Sequence, residues 1–276
     1  MEGIINGLSH DEYHAMVDVV SNSYLGRLDI VPAAAKIQRE ETPALTFGRA
    51  FHCYVLEGVD QFYKSFVVAD KRGKQKKEDK AYWEDLRFTA EWKGIKIIEH
   101  DDFVTIEGMG DAIKRHPFAS KLLAEGISET SIFWTDEETG LPCKCRPDRI
   151  PDGSKGVILD LKSTRNASDM AFKRDCINYG YAREAGIYCE GFSKATGANF
   201  NDLIFAFIVC EKEPPYRTEV YSLSTEFLDY GYMEFHRLLQ IEKECRDKNF
   251  WPHYKCANAT ELDKPGYVKT FEWGNE

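Results

Sequence analysis

Residues 146–164 read RPDRIPDGSKGVILDLKST. The run VILDL at 157–161 has the apolar density of a buried strand, yet it contains Asp160, and Lys162 follows two positions on. A buried carboxylate beside a buried ammonium is costly unless the two pair or bind something charged. Strand side chains alternate, so Ile158, Asp160 and Lys162 share one side, and Val157, Leu159 and Leu161 the other. The wholly apolar side is assigned to the core, and the Asp160/Lys162 side to a cleft that holds charge. Asp148 ends the preceding strand and comes alongside Asp160 if the two strands pair as a hairpin. Two carboxylates brought together repel unless a cation lies between them. A divalent metal meets that need, and hard oxygen ligands suit Mg²⁺ or Mn²⁺ better than zinc. Lys162 then suits a phosphate oxygen or an attacking water. The bare D-x-K pattern also describes a structural Asp–Lys ion pair on a sheet face, and these residues alone leave both readings open.

The rest of the chain sets the frame. Its 276 residues, 43% hydrophobic and 13% aromatic, supply a sizeable core. Without an internal repeat or a long Pro/Ser linker, a single domain over 1–276 is the simplest expectation. Its core spans about 8–250, and the stretch from about 251 to 276 lacks a clear period. No segment approaches the roughly 20 apolar residues of a membrane span. The start MEGI lacks the basic and apolar regions of a secretory signal, so a cytoplasmic location is expected. The eight cysteines include no C-x-x-C pair and read as reduced core thiols. Cys143 and Cys145 point to one side of a strand, which is a poor chelate by itself. The net charge of −10 argues mildly against nucleic acid. Phosphate contacts, however, depend on where Lys and Arg gather. They gather in DKRGKQKKEDK at 70–80, with Lys74, Lys76 and Lys77. That segment reads either as a solvated loop or as a basic loop lying over a polyanion.

Local signals give the element order. Helices are predicted at 9–16, from a Ser cap, and at 21–28, with Ser21 or Ser23 as cap. Thr42-Pro43 and Gly58 bound a helix of about four turns over 42–58, with Phe47, Phe51 and Val55 on its core face. Residues 78–92 and 101–124 read as mostly helical around a short strand, IKIIE. A three-strand meander follows: SETSIFWTD, then LPCKCRPDRI, then VILDLKST, joined by turns rich in Gly, Pro and Asp. Helices at 168–178 and 181–195, strands LIFAFIVC and TEVYSL, and an amphipathic helix at 225–247 complete the pattern. The expectation is an α/β (α+β) core, a central mixed β-sheet flanked by helices.

Pro147-Asp148 followed by Asp160-Leu161-Lys162 resembles the PD-(D/E)-x-K nuclease superfamily, in the variant with Asp in place of the usual Glu. Within it, GRAFHCYVLE (48–57), SETSIFWTDEETGLPCKCRPDRI (128–150), LDLKST (159–164) and YGYAREAGIYCEGF (179–192) are similar to the RecE family of phage and prophage exonucleases (exonuclease VIII). The opening LSHDEYHAM and SNSYL fits the same family. The resemblance implies that His52, Asp148 and Asp160 hold metal, with the Leu161 carbonyl, and that Lys162 is the catalytic lysine. Glu129 falls where related nucleases carry an acid near a second metal; it reads equally as a solvated alternate residue. The family's Gln-x-x-x-Tyr on the following helix appears here as Glu184 and Tyr188, one turn apart. The departure puts a negative charge where a neutral amide would sit.

The expected cofactor is Mg²⁺ or Mn²⁺, with two ions. No iron–sulfur cluster is expected, since Cys245 and Cys256 are too widely spaced. Ser21 and Ser23 at a helix start, together with Arg49, suit a terminal phosphate or, for the serines, ordinary capping. By resemblance the activity is processive 5′→3′ digestion of duplex DNA ends. It leaves 3′ single strands for a RecT-type annealing protein, from a tetrameric ring in the cytoplasm of a bacterial host. Two other readings stand beside it: a non-catalytic metal-dependent DNA-end-binding module, and a metallohydrolase of small phosphoesters.

Overall fold

The computed structural model describes residues 2–37, 41–73, 76–153 and 156–254. In chain order the elements run β1 (Gly3–Ile5), α1 (His10–Ala15), α2 (Asn22–Ile30), α3 (Pro43–His52), α4 (Val59–Ser65), β2 (Phe66–Val68) and α5 (Lys77–Lys93). Next come β3 (Lys96–Ile98), α6 (His100–Arg115), α7 (Ala119–Ala124), β4 (Gly126–Ser128), β5 (Ser131–Thr135), β6 (Pro142–Cys145), β7 (Arg149–Pro151) and β8 (Val157–Thr164). The chain continues with α8 (Asp169–Asn178), α9 (Tyr181–Thr196), β9 (Ile204–Glu211), β10 (Thr218–Ser222) and α10 (Thr225–Asp247).

The central sheet has five strands in the order β10-β9-β8-β7-β4. β8 and β9 are parallel and the other neighbours antiparallel, so the sheet is mixed, as expected. Helices cover both faces. Leu159, Leu161, Ala206 and Ile208 pack with Phe47, Phe51 and Met109 of α3 and α6. Ile158, Phe205, Phe207 and Val209 pack on the other side with Phe172, Ala185 and Cys189 of α8 and α9. Strands buried on both faces read as near-continuous apolar runs, which is why VILDL and LIFAFIVC look as they do. A second sheet, β1-β5-β6, lies against α9 and α10 through Ile132, Trp134, Ile187 and Phe235. β2 and β3 form a separate parallel pair.

Three expectations are corrected. The meander is not continuous: β5 and β6 pair in one sheet, and the chain crosses at 146–148 into the other, where β7 pairs with β8. Pro147 has no N–H to give to a ladder, so the chain can leave the first sheet there. The helix over 42–58 is α only as far as His52; Cys53–Glu57 form a π turn, closed by the Gly58 N–H on the Cys53 carbonyl at 3.1 Å. The Asp160/Lys162 side of β8 is not an open cleft. α9 covers it, leaving Asp160 only 2% exposed.

Other local readings match the structure. Ser9 and Glu12 make a reciprocal capping box at α1, and Ser21 caps α2. α10 occupies the 225–247 window. α9 and α10 approach closely at Gly186 and Gly231. A Cβ on Gly231 would sit 1.8 Å from the Ala182 carbonyl oxygen, so only glycine fits.

Candidate active site

Three segments converge on Asp148. His52 ends α3, where Thr42 caps the N-terminus and Phe47, Ala50 and Phe51 anchor the buried face. The ring is therefore held at an α-to-π junction, a geometry often found at functional sites. Its Nδ1 lies 3.4 Å from Asp148 Oδ1. The other carboxylate oxygen, Oδ2, accepts the Leu161 N–H at 2.6 Å, tying the crossing segment to β8. The Asp148 carbonyl accepts the Glu129 N–H at 3.1 Å. Glu129 sits between β4 and β5 rather than within a strand, at φ 52°. A non-glycine residue in this left-handed region is uncommon and costs about 1–2 kcal/mol. The kink turns its carboxylate inward, so ligand atoms of His52, Glu129 and Asp148 all lie within 4.8 Å of one another.

Asp160 belongs to an adjoining group. The register Arg149↔Leu159 sets Asp148 beside Asp160 across the β7–β8 pair. Lys162 Nζ is 2.7 Å from Asp160 Oδ2 and 2.7 Å from Glu184 Oε2, with side chains only 14%, 2% and 12% exposed. Tyr188 donates its hydroxyl to Glu184 Oε1 at 3.3 Å. The Tyr181 ring lies 4.5 Å from the ammonium. Glu184 is thus a largely buried partner of Lys162.

The electrostatics reflect crowding. Burial pushes Asp160 well above the usual carboxylate range, with Asp148 and Glu184 adding to the shift and Lys162 opposing it. Burial and the neighbouring Asp148 raise Glu129 to about 7, against His52 and Arg146. Burial alone would lower His52, but the charge and hydrogen bond of Asp148, then Glu129 and Asp160, raise it to about 9. Burial works against the Asp148 carboxylate too, yet His52, Lys162 and the Leu161 N–H hold it below its ordinary value. Lys162 is raised well above the usual lysine range, because Asp160, Glu184 and Asp148 outweigh burial.

A divalent cation fits these residues. Asp160 Oδ2 is buried and lacks an aligned hydrogen bond, even with Lys162 close by. The donor set of carboxylates plus one imidazole suits a hard or borderline ion such as Mg²⁺ or Mn²⁺. Cys143 and Cys145 are buried thiols of β6, apart from this set.

The residues expected to meet DNA are placed differently. Ser21 Oγ accepts the Tyr24 N–H at 3.4 Å and lies 3.2 Å from Ser23 Oγ, so it acts as a cap here. Arg49 is one turn before His52 and pairs with Glu41 at 2.9 Å. Lys76 and Lys77 are exposed at the start of α5. Lys74 lies outside the described residues, as does Cys256.

Sequence reasoning missed several supporting residues. Buried Arg183 reaches Asn22 Oδ1 at 3.0 Å and Asp29 Oδ2 at 3.4 Å, locking α9 to α2. Arg146 donates to Ser131 Oγ and to the Leu8 carbonyl, and Tyr13 stacks beneath both Arg146 and Lys144. Lys144 Nζ donates to the Met16 carbonyl at 2.9 Å. A lysine between two strand cysteines was the available signal. A further buried network joins His236 Nε2 to Glu190 at 2.8 Å and sets Nδ1 3.8 Å from Asp136.

Residues 32–264 match the family described as a PDDEXK-like domain of unknown function, DUF3799. The chain belongs to this family. No curated protein matches it. Among solved structures it is similar to a "putative exonuclease" of Eubacterium rectale, with a TM-score of 0.62 at 17% identity, over 94% of this chain and 95% of that one. That likeness speaks for the fold. A structure named SSO0001 aligns over 81% of this chain and 90% of its own, at 12% identity and a TM-score of 0.30. Among the described residues, no helix is long and apolar enough to cross a membrane.

Proposed function

We propose that the chain is a divalent-metal-dependent exonuclease that hydrolyses phosphodiesters at the ends of duplex DNA, in the manner of the RecE family. The observation that carries the reading is a half-buried constellation on a PDDEXK-like fold. His52, Glu129 and Asp148 converge, with Asp160 and Lys162 on the adjoining strand.

His52, Asp148, Asp160 and Glu129 would hold the ion or ions. Bound there, a divalent metal polarises a phosphate and lowers the pKa of its water. Lys162 presents a fixed positive charge where negative charge develops on the phosphate oxygens. Glu184 positions that ammonium, and Tyr188 in turn orients Glu184. The exposed Lys76 and Lys77 supply sequence-independent attraction for the phosphate backbone. Polarity 5′→3′, processivity, a tetrameric ring and transfer of 3′ tails to a RecT-type annealing protein belong to the same proposal. So does work in the cytoplasm of a phage- or prophage-bearing bacterium.

The test uses linear duplex DNA labelled separately at each 5′ end and internally, with Mg²⁺ or Mn²⁺ and with chelator. Wild type runs beside Asp160→Ala and Lys162→Ala. Stepwise release of 5′ nucleotides by wild type alone is the expected result. Metal-dependent retention of DNA without cleavage would replace the enzyme by an end-binding module. Turnover of small phosphodiesters with indifference to DNA would make it a phosphoesterase.

A further inference from the structure

Beyond the acids and lysine, an exposed aromatic stands one ring away from the reacting centre. Tyr179, in the loop between α8 and α9, is 65% exposed. Its ring centroid is 5.7 Å from that of Tyr181, whose own ring lies 4.5 Å from Lys162 Nζ. Tyr181 is fixed from behind by Phe172 and Phe207, with centroids 6.0 Å away in each case. The two tyrosines thus make a step leading outward from the ammonium.

The loop that carries Tyr179 is braced. The Tyr179 N–H donates to the Asp175 carbonyl at 2.9 Å. Gly180 follows at φ 71°, and a Cβ there would lie 2.5 Å from the Arg183 guanidinium. Arg183 is the buried residue that clamps Asn22 and Asp29 of α2. An exposed ring on a braced backbone loses little freedom when a flat partner covers it. Beside it, the outer face of α8 carries Arg174, Lys173 (which pairs with Asp169 at 2.7 Å) and the exposed apolar groups Met170 and Ile177. Cations for phosphate together with a bare aromatic face are what single-stranded nucleic acid uses.

We propose that Tyr179 is a stacking platform for a nucleobase next to the scissile phosphate, holding the end of the strand in line with Lys162. The proposal rests on the nuclease reading and adds a binding contact to it. The Tyr179 ring meets the site through Tyr181, so its role is substrate placement rather than chemistry.

The experiment compares wild type, Tyr179→Phe and Tyr179→Ala on a duplex oligonucleotide with Mg²⁺. Phosphorothioate end linkages prevent digestion during binding. An abasic nucleotide is placed at each of the first three positions in turn, and affinity is read by anisotropy. kcat and KM are then measured on the all-phosphate versions. Wild type and Tyr179→Phe are expected to lose about 5- to 150-fold in affinity at one abasic position, the range of a base–aromatic stack. Tyr179→Ala is expected to bind intact DNA that much more weakly and to be indifferent to the abasic site, with an unchanged melting temperature. Equal abasic losses in wild type and Tyr179→Ala, with DNA still cleaved, would overturn the stacking role alone. Failure of wild type both to bind and to cleave DNA would overturn the nuclease reading and the platform with it.

Discussion

Lys162→Ala removes the ammonium that lies 2.7 Å from both Asp160 and Glu184. Asp160 and Glu184 are then left almost solvent-free, beside Asp148, without their counter-ion. Breaking a buried ion pair in this way costs about 3–5 kcal/mol. For a domain of this size each kcal/mol is worth roughly 2–4 °C, so the metal-free variant should melt roughly 6–20 °C lower. Part of that penalty is relieved when Asp160 takes up a proton. Its folded pKa already lies above the ordinary value. The native state therefore binds more protons than the unfolded chain, and this group's contribution falls as pH rises from about 4 through the folded pKa. Lys162→Ala should show this decline more steeply than wild type. Divalent metal should reverse it, because the ion replaces the lost counter-ion; at 100 times Kd binding adds about 2.7 kcal/mol. Melting curves from pH 5 to 9, with Mn²⁺ and with chelator, measure all three effects. The metal-induced gain should be larger in Lys162→Ala than in wild type. An equal or smaller gain would mean that Asp160 is not a metal-facing acid, and would sink the assignment of this pair.

His52, raised to about 9 by Asp148, is charged at neutral pH and must lose its proton to ligate a metal. Calorimetry in buffers of different ionisation enthalpy should therefore find His52→Ala releasing about one proton fewer per metal uptake than wild type near pH 7; equal release would remove His52 from the ligand set. Without metal, the His52–Asp148 pair contributes stability that is full below about 6.5 and fades as pH rises through about 9. Glu129→Gly relieves a left-handed backbone and a buried acid, so melting should rise by the equivalent of ~1 kcal/mol while DNA cleavage falls; unchanged cleavage would make Glu129 a purely structural kink. His236→Ala leaves Glu190 and Asp136 without their imidazole and should cost ~3 kcal/mol in urea unfolding with activity intact at low temperature, whereas no loss would show the network to be idle. Replacing Lys76 and Lys77 by Ala should lower the salt dependence of DNA binding by about two counter-ions; an unchanged slope would place the loop away from DNA.

The parts of the fold legible in the sequence were those with a local cause. Thr42-Pro43 starts α3 and Ser9 with Glu12 starts α1, because caps act within one turn. The apolar density of β8 and β9 betrayed strands buried on both faces. The crossing at 146–148 was harder, because Pro147 lies inside a run whose alternation continues on both sides of it. The same alternation suggested an open side for Asp160 and Lys162. It could not show that α9 lies over them, since that depends on α9 packing against α10 at Gly186 and Gly231, far along the chain. Glu129 reads as a strand residue because a left-handed residue leaves no mark in the sequence when it is not glycine or asparagine. Arg183 carries no local signal, since its partners Asn22 and Asp29 are more than 150 positions away.

Charge balance gives Glu184 its meaning. The two adjoining groups contain four carboxylates, Glu129, Asp148, Asp160 and Glu184, against Lys162 and protonated His52, with Arg146 acting on Glu129 from beside them. Among the described residues these four carboxylates outnumber the three cations that act on them. The site responds by holding protons, with Asp160 raised and Glu129 at about 7. A neutral Gln at 184 would reduce that excess by one while keeping an acceptor for Lys162. Glu184 therefore ties the lysine more firmly and makes the acids beside it harder to ionise, until a divalent cation arrives. Glu184→Gln should then lower the pH at which metal first binds, because Asp160 sheds its proton more readily. The cost is looser placement of Lys162, and kcat at saturating metal should fall. Metal affinity measured against pH, set beside kcat at saturating Mn²⁺, separates the two effects. Movement of both in the same direction would show that Glu184 does not act through Lys162 and Asp160.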